Sequence, residues 1–358
     1  MSLTRKPGYT VAEVCHLTQL EEYRLRFYES EFAEYLPPTI QVGDRALFSR
    51  EAIEILTEIR EHADLDGLSL AAIKELLDKP DSDNDALFVD NFESKGKVIA
   101  VTSGKGGVGK TTVALNLGLA LHRKGYKTLL FDADLGTANL HILSGIDSSV
   151  TLEHVITEGK PLSQAITSGP EGLAVIPGGS GVLALGELPA SKRDMLIYDL
   201  ESLEQAVDYI IIDTAPGITP QVTDFLKLAD LMMIVTTPEL TSVTDGYGMI
   251  KTMTHKSPDI PIAVTVNNIY RVSEGDSSFE RLETCARQFL SRSLIYAGYL
   301  ARDGNVSAAV SKRVPVMQYK PDCRFSRGIL RLASMVESID IIPKEARYRG
   351  IATLVGSA

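Results

Sequence analysis

The sequence predicts an α/β protein: a doubly wound, mostly parallel sheet preceded by a small all-α domain. Short apolar runs alternate with segments of helical periodicity: Val98 to Thr102, Thr128 to Phe131, Leu173 to Ile176, Tyr209 to Ile212, Leu231 to Val235, Ile262 to Val266 and Ile295 to Leu300. Strands that are apolar on both faces and separated by helices belong to parallel sheets covered on both sides. A glycine-rich stretch, Ser103 to Thr112, joins the first run to a segment, Val113 to Arg123, with apolar residues at helical spacing. The first seventy-eight residues instead carry helix caps and helical spacing.

A chain of 358 residues allows two or three domains. The boundaries expected are 1–78 for the helical domain, 79–97 for a linker, 98–340 for the α/β domain and 341–358 for a tail. Met1 to Gly8 is polar and has no apolar core of a signal peptide, and no stretch approaches the length of a membrane span. Cys15, Cys285 and Cys323 stand far apart, with no C-x-x-C and no histidine at metal spacing, which points to a reducing cytoplasm and away from a zinc or iron–sulfur site. The net charge of −11 is unevenly spread, with the first eighty residues acidic and the last sixty basic. The two ends are therefore expected to meet different partners.

In the helical domain, Thr10 and Glu13 form a capping box for a helix through Leu17, and Leu20 to Ser30 forms a second. Pro37-Pro38 and Gly43 interrupt. Ser49 then caps a helix that turns Ile53, Leu56 and Ile59 inward, and Ser69 caps another to Leu77. Tyr9-Thr10-Val11, Leu25-Arg26-Phe27-Tyr28-Glu29, Gly43-Asp44-Arg45 with Phe48-Ser49, and Gly67-Leu68-Ser69-Leu70 resemble the MerR-type winged helix-turn-helix. That resemblance implies a second helix in the DNA major groove and a wing on phosphates, with Arg24, Arg26 and Arg45 as contacts. Gln19 stands where the family's turn has glycine, Glu21 and Glu22 open the recognition helix, and the module is net acidic. Because phosphate neutralisation drives affinity for DNA, a fold that now docks a protein or a ligand is the competing expectation. Lys79 to Lys97 is rich in Asp, Ser and Asn and reads as the linker, with a short apolar patch from Ala86 to Phe92 expected to lie on one of the domains.

Gly104-Lys105-Gly106-Gly107-Val108-Gly109-Lys110-Thr111-Thr112 completes the G-x-x-x-x-G-K-[ST] pattern in the strand-to-helix context it requires. Glycines let successive N–H groups curl round a β-phosphate, and the helix N-terminus adds positive potential. Lys110 reaches the β- and γ-phosphates, and Thr111 ligates Mg²⁺. The phosphate cradle does not require Lys105, so that cation is expected to have another target. Asp132-Ala133-Asp134-Leu135-Gly136 ends the second run, so that one aspartate can face the metal and the other the attacking water. Asp213 closes the run from Tyr209 and suits a carboxylate holding Mg²⁺ through water. Thr214 to Ile218 follows as a stiffened loop near the γ-phosphate.

Over roughly Lys97 to Ser338 the chain resembles the MinD/ParA group of deviant-Walker ATPases, and within it the FlhG branch of flagellar-number regulators. The general likeness rests on Lys105, on Asp132 to Gly136 with Asn139, on Asp213 to Ile218, and on Thr237-Pro238-Glu239. The branch likeness rests on Val175 to Val182, on Thr244-Asp245-Gly246-Tyr247 with Ile250-Lys251, and on Gly298-Tyr299-Leu300 with Asp303. The resemblance implies a homodimer that sandwiches two ATP molecules, with Lys105 reaching the partner's nucleotide. It also implies that Asp134 positions the hydrolytic water and Asp132 serves the metal. Asn267 and the loop around Asp303 would lie near adenine, and Glu239, Thr241 and Asp245 would face the partner's lysine.

The expectation is therefore an ATP-driven dimerisation switch with slow hydrolysis that governs the placement or number of a cellular structure, flagella favoured. The branch's Asp-Gln-Ala segment, which stimulates a partner GTPase, has no counterpart here; the nearest stretch is Asp85-Ala86-Leu87, and the amino-terminal module is expected to replace that contact. The alternative is a DNA-binding regulator or partition ATPase. A final helix is expected from Asp322 to Ile339. Beyond it, Tyr348, Ile351, Ala352 and Val355 beside Lys344, Arg347 and Arg349 give a thin amphipathic stripe, to be weighed as a weak peripheral membrane anchor against a solvated tail.

Overall fold

The computed structural model describes residues 9–18, 20, 22–42, 45–64, 70–77, 96–134, 136, 138–179, 193, 196–197, 199–200 and 203–339. These fall into two compact units, one within residues 1–92 and one within 93–358. The linker's apolar patch and the amphipathic stripe of the tail lie outside the described residues.

The smaller unit holds α1 (Val11–Thr18), α2 (Glu22–Glu31), an antiparallel pair β1 (Ile40–Val42) and β2 (Arg45–Leu47), then α3 (Arg50–Asp64) and α4 (Leu70–Leu77). The caps act as the residues imply: Thr10 N–H donates to Glu13 Oε2 at 2.9 Å, and Ser49 Oγ accepts from Ala52 N–H at 3.1 Å. Val14, Leu25, Phe32, Leu56, Ile59 and Ile73 are fully buried, so this unit has its own core.

The larger unit begins with β3 (Lys97–Thr102), α5 (Lys110–Arg123), β4 (Thr128–Ala133), α6 (Leu140–Ser144) and α7 (Leu152–Glu158). It continues through β5 (Thr167–Ser168), β6 (Ala174–Ile176), β7 (Tyr209–Thr214), α8 (Pro220–Lys227), β8 (Leu231–Thr236), α9 (Leu240–Lys256), β9 (Ile262–Ile269) and α10 (Val272–Leu290). It closes with β10 (Ile295–Ala301), α11 (Gly304–Ser311), α12 (Val316–Tyr319) and α13 (Arg324–Ser338). The eight strands run in the order β10-β9-β8-β3-β7-β4-β6-β5. All pair in parallel except β5, which is antiparallel to β6. Each apolar run of the sequence analysis is one of the parallel strands.

Two apolar layers cover the sheet. One packs α5 and α13 on one face, and the other packs α8 and α9 on the opposite face. Phe131 and Phe225, both fully buried, meet at 5.7 Å between ring centroids in the second layer. Phe225→Ala would leave a void there, and a loss of about 3–5 kcal/mol in urea-unfolding stability is expected. In the order above, the chain leaves β3 toward β4 on one side and later crosses past it from β7 to β8 on the other, and ligands bind at the carboxyl ends of the strands beside such a switch.

Candidate nucleotide site

The glycine-rich turn lies between β3 and α5, at the carboxyl edge of the central strand. Gly107 and Gly109 have φ of 79° and 91°, a region open to glycine and strained for other residues. A Cβ at Gly109 would also stand 2.5 Å from the Asn267 amide, which itself donates to Val108 O at 2.8 Å. Gly104 is tighter still, since a Cβ there would fall 2.2 Å from the Asp245 backbone. Gly104→Ala cannot be absorbed by a side-chain shift, and it is expected to displace the loop and reduce nucleotide affinity by at least tenfold in equilibrium titration.

Lys110 is buried and donates to Asp213 Oδ1 at 2.7 Å, and its Nζ lies 3.4 Å from Thr111 Oγ1. Asp213 stands beside Asp132 in the register of β7 and β4, although eighty-one residues separate them in sequence. Burial, then the neighbouring Asp213 charge, pushes the Asp132 carboxyl well above the usual carboxylate range. Burial also raises Asp213, against the pull of Lys110. Asp134, buried as well, donates its N–H to Asp132 Oδ1 at 3.1 Å, while Asp132 Oδ2 accepts from Leu140 N–H at 3.3 Å and anchors the start of α6. The pair thus divides: both Asp132 oxygens accept backbone N–H groups, whereas Asp213 Oδ2 is buried with no hydrogen-bond partner. The Lys110 ammonium meets only Oδ1 of Asp213, and an orphaned carboxylate oxygen beside the Thr111 hydroxyl fits a hard divalent cation.

Ile218 follows the loop after β7, which is tied to the phosphate-loop strand by Gly217 N–H donating to Ser103 O at 2.9 Å. Lys105 points away from this buried cluster. It is half-exposed and donates to Glu239 Oε2 at 2.9 Å and Thr241 Oγ1 at 3.1 Å, at the start of α9. Asp245 meets the loop through its backbone at Gly104. Beside them Leu240 is 69 % exposed and Ile218 is 43 % exposed. Sequence reasoning missed Leu240, because its spacing of three from the buried Val243 reads as core; only its exposure sets it apart. Asp303, the other residue expected near adenine, caps α11 through Asn305 N–H at 2.9 Å and accepts from Arg324 N–H at 2.9 Å.

The smaller unit gives less. Arg24 donates to Tyr28 Oη at 2.7 Å, and Arg26 pairs with Glu29 at 2.9 Å, so both engage neighbours on their own helix. Arg45 belongs to β2, and its side chain lies outside the described residues. Among the described residues no group of His, Cys, Asp and Glu forms a metal cluster of the zinc kind, and no helix is long and apolar enough to cross a membrane.

Comparison with known proteins identifies the family. An AAA domain model matches residues 96–259, and a model of the MerR HTH family regulatory proteins matches residues 9–79. The antiactivator FleN of Pseudomonas aeruginosa is 34 % identical over 254 residues, which is 71 % of this chain and 90 % of FleN. The chain belongs to the MinD/ParA family of ATPases, in its FlhG/FleN branch. The flagellum site-determining protein YlxH of Helicobacter pylori is likewise 34 % identical, over 69 % of this chain and 84 % of YlxH. The septum site-determining protein MinD from Pyrococcus horikoshii, solved as a complex with Mg-ADP, superposes with a TM-score of 0.59 at 25 % identity, over 68 % of this chain and 96 % of that one. As a member of this family the chain is an ATPase, and its amino-terminal unit is a MerR-type helix-turn-helix.

Proposed function

We propose that this ATPase is a dimerisation switch: two copies close over two ATP molecules, and slow hydrolysis releases them. The observation that carries the reading is the placement of Lys105. It is a cation on the phosphate loop that makes no contact with the buried carboxylates and stands instead at an exposed rim with Leu240. Its bond to Glu239 is an exposed ion pair worth about 0–1 kcal/mol, and is easily given up. A second copy brings phosphate charge within reach of that ammonium and covers Leu240 and Ile218. Glu239 and Thr241 then exchange their own lysine for the partner's, which Asp245 also faces.

Within each copy, the loop N–H groups of Gly104 to Thr112 cradle the phosphates, and Lys110 neutralises the β- and γ-oxygens. Asn267 braces the loop beneath the base, with the Asp303 turn beside it. Thr111 and Asp213 would hold Mg²⁺, with Asp132 adding negative charge and keeping α6 in place. Bound there, the ion would offset the charge of the phosphates. Asp134 orients the attacking water. Relatives named for flagellar control support a role in setting the number or position of flagella. Lys110→Ala tests the site itself: affinity for an ATP analogue should fall by at least a hundredfold in fluorescence titration, and unchanged affinity would remove Lys110 from the cradle.

The MerR match favours one further reading, that the amino-terminal unit touches duplex DNA through Arg24, Arg26 and Arg45. Filter binding of the full chain should then weaken steeply between 50 and 200 mM salt, as counterion release requires. Flat, weak retention at both salts excludes it and leaves the unit as a protein- or ligand-docking module.

A further inference from the structure

β10 forms one edge of the sheet, and beside it lies a recess of about 260 Å³ lined by Tyr270, Val272, Tyr299, Arg324, Arg327 and Arg331, among others. The three arginines follow one another at i, i+3 and i+7 on α13, which sets them along one helical face. Arg331 lies over the Tyr299 ring at 5.7 Å, and Arg302, on the adjoining turn, lies over Tyr270 at 4.9 Å. Among the described residues none of these four guanidinium groups has an ion-pair partner. The nearby carboxylates have other partners: Glu274 accepts from Tyr270 N–H, Asp276 from Tyr296 Oη, Asp303 from Arg324 N–H, and Asp322 pairs with Lys320, with Arg327 only a weaker charge near it. Tyr270 and Val272 are 68 % and 50 % exposed.

We propose that this cleft docks an acidic segment of a partner protein, whose carboxylates meet the arginine row while an apolar side chain seats on Tyr270 and Val272. Three considerations choose that occupant. Small-molecule pockets run to about 300–1,000 Å³ and enclose most of their ligand, whereas this recess is smaller and rimmed by exposed side chains. A long polyanion must be drawn by an extended positive field, and the chain as a whole carries −11, so a local patch suits a short acidic stretch better than nucleic acid. Tyr and Arg are also the residues on which protein interfaces concentrate their energy, and the guanidinium fork matches carboxylates in bidentate fashion. The cleft is joined to the nucleotide site through Asp303, which holds both the start of α13 and the start of α11.

The test selects a random twelve-residue peptide library on phage against the full chain, then measures the best peptide by fluorescence anisotropy. Peptides enriched in Asp and Glu with at least one aromatic or aliphatic residue are expected. Their affinity should fall at least tenfold in the Arg327→Ala, Arg331→Ala double variant and in Val272→Asp, which places a like charge in the cleft from a different element. Arg287→Ala, outside the cleft, should leave the affinity unchanged, and all variants should keep ATP-analogue binding, so the outcome is independent of the dimer reading. Selected peptides without acidic enrichment, undiminished binding to both cleft variants, or displacement by a single-stranded 20-mer oligonucleotide at lower concentration than by the free peptide would each overturn the proposal.

Discussion

Lys105→Ala is expected to keep ATP and lose both pairing and hydrolysis. The side chain touches neither Lys110 nor the buried carboxylates; its described bonds run to Glu239 and Thr241 at the rim. Removing it therefore leaves the cradle intact. What is lost is the cation offered to a second copy. A finger-type cation supplied in trans is worth about 10³–10⁵ in rate, or about 4–7 kcal/mol, against about 0–1 kcal/mol for the exposed ion pair within one chain. The weak pair within one chain therefore offers little resistance to the exchange once phosphate charge is within reach. Turnover should fall at least a thousandfold in a phosphate-release assay, with analogue affinity per chain within a few-fold of wild type. A variant that still pairs and turns over normally would show that the lysine acts only within its own chain.

Asp134→Ala should separate pairing from turnover in the opposite way. Asp134 is buried at the end of β4, and its backbone N–H bonds Asp132, which keeps the residue in the cluster beside Asp132 and Asp213. A positioned carboxylate that orients water contributes about 10²–10⁴ in rate. Single-turnover hydrolysis should fall by that factor, and an ATP-loaded dimer should persist where the wild-type chain has returned to single copies. Undiminished hydrolysis would assign the water to another group. Asp213→Asn, in contrast, removes charge from a carboxylate whose buried Oδ2 has no hydrogen-bond partner among the described residues. It should weaken magnesium dependence before it weakens nucleotide binding.

Much of this was legible in the residues. Runs such as Ile210-Ile211-Ile212 and Met232-Met233-Ile234 have no polar alternation, and a strand of that kind is stable only with helices on both faces. The phosphate loop declared itself because its glycines, lysine and threonine serve one geometry. β5 was not legible: two residues, Thr167 and Ser168, carry no periodicity, and their pairing with Ala174 and Val175 depends on the turn at Gly169 to Gly172. The division of labour between Asp132 and Asp213 was also hidden. Both end strands in the same way, and only the backbone N–H groups of Asp134 and Leu140 distinguish them. Leu240 carries no signal of its own, since its spacing from Val243 is that of a core position. The arginine row on α13 escaped notice because its apolar face, Phe325, Ile329, Leu332 and Val336, accounts for the helix by itself, and the tyrosines opposite it come from the turn after β9 and from β10 itself.

The central claim is that nucleotide loading and pairing are one event. Light scattering of the full chain with Mg²⁺ and a non-hydrolysable ATP analogue reads it directly. The account expects a particle of twice 38.9 kDa with the analogue and a single chain with ADP, with Lys105→Ala remaining single in both. A wild-type chain that stays at 38.9 kDa when saturated with analogue and magnesium would contradict it.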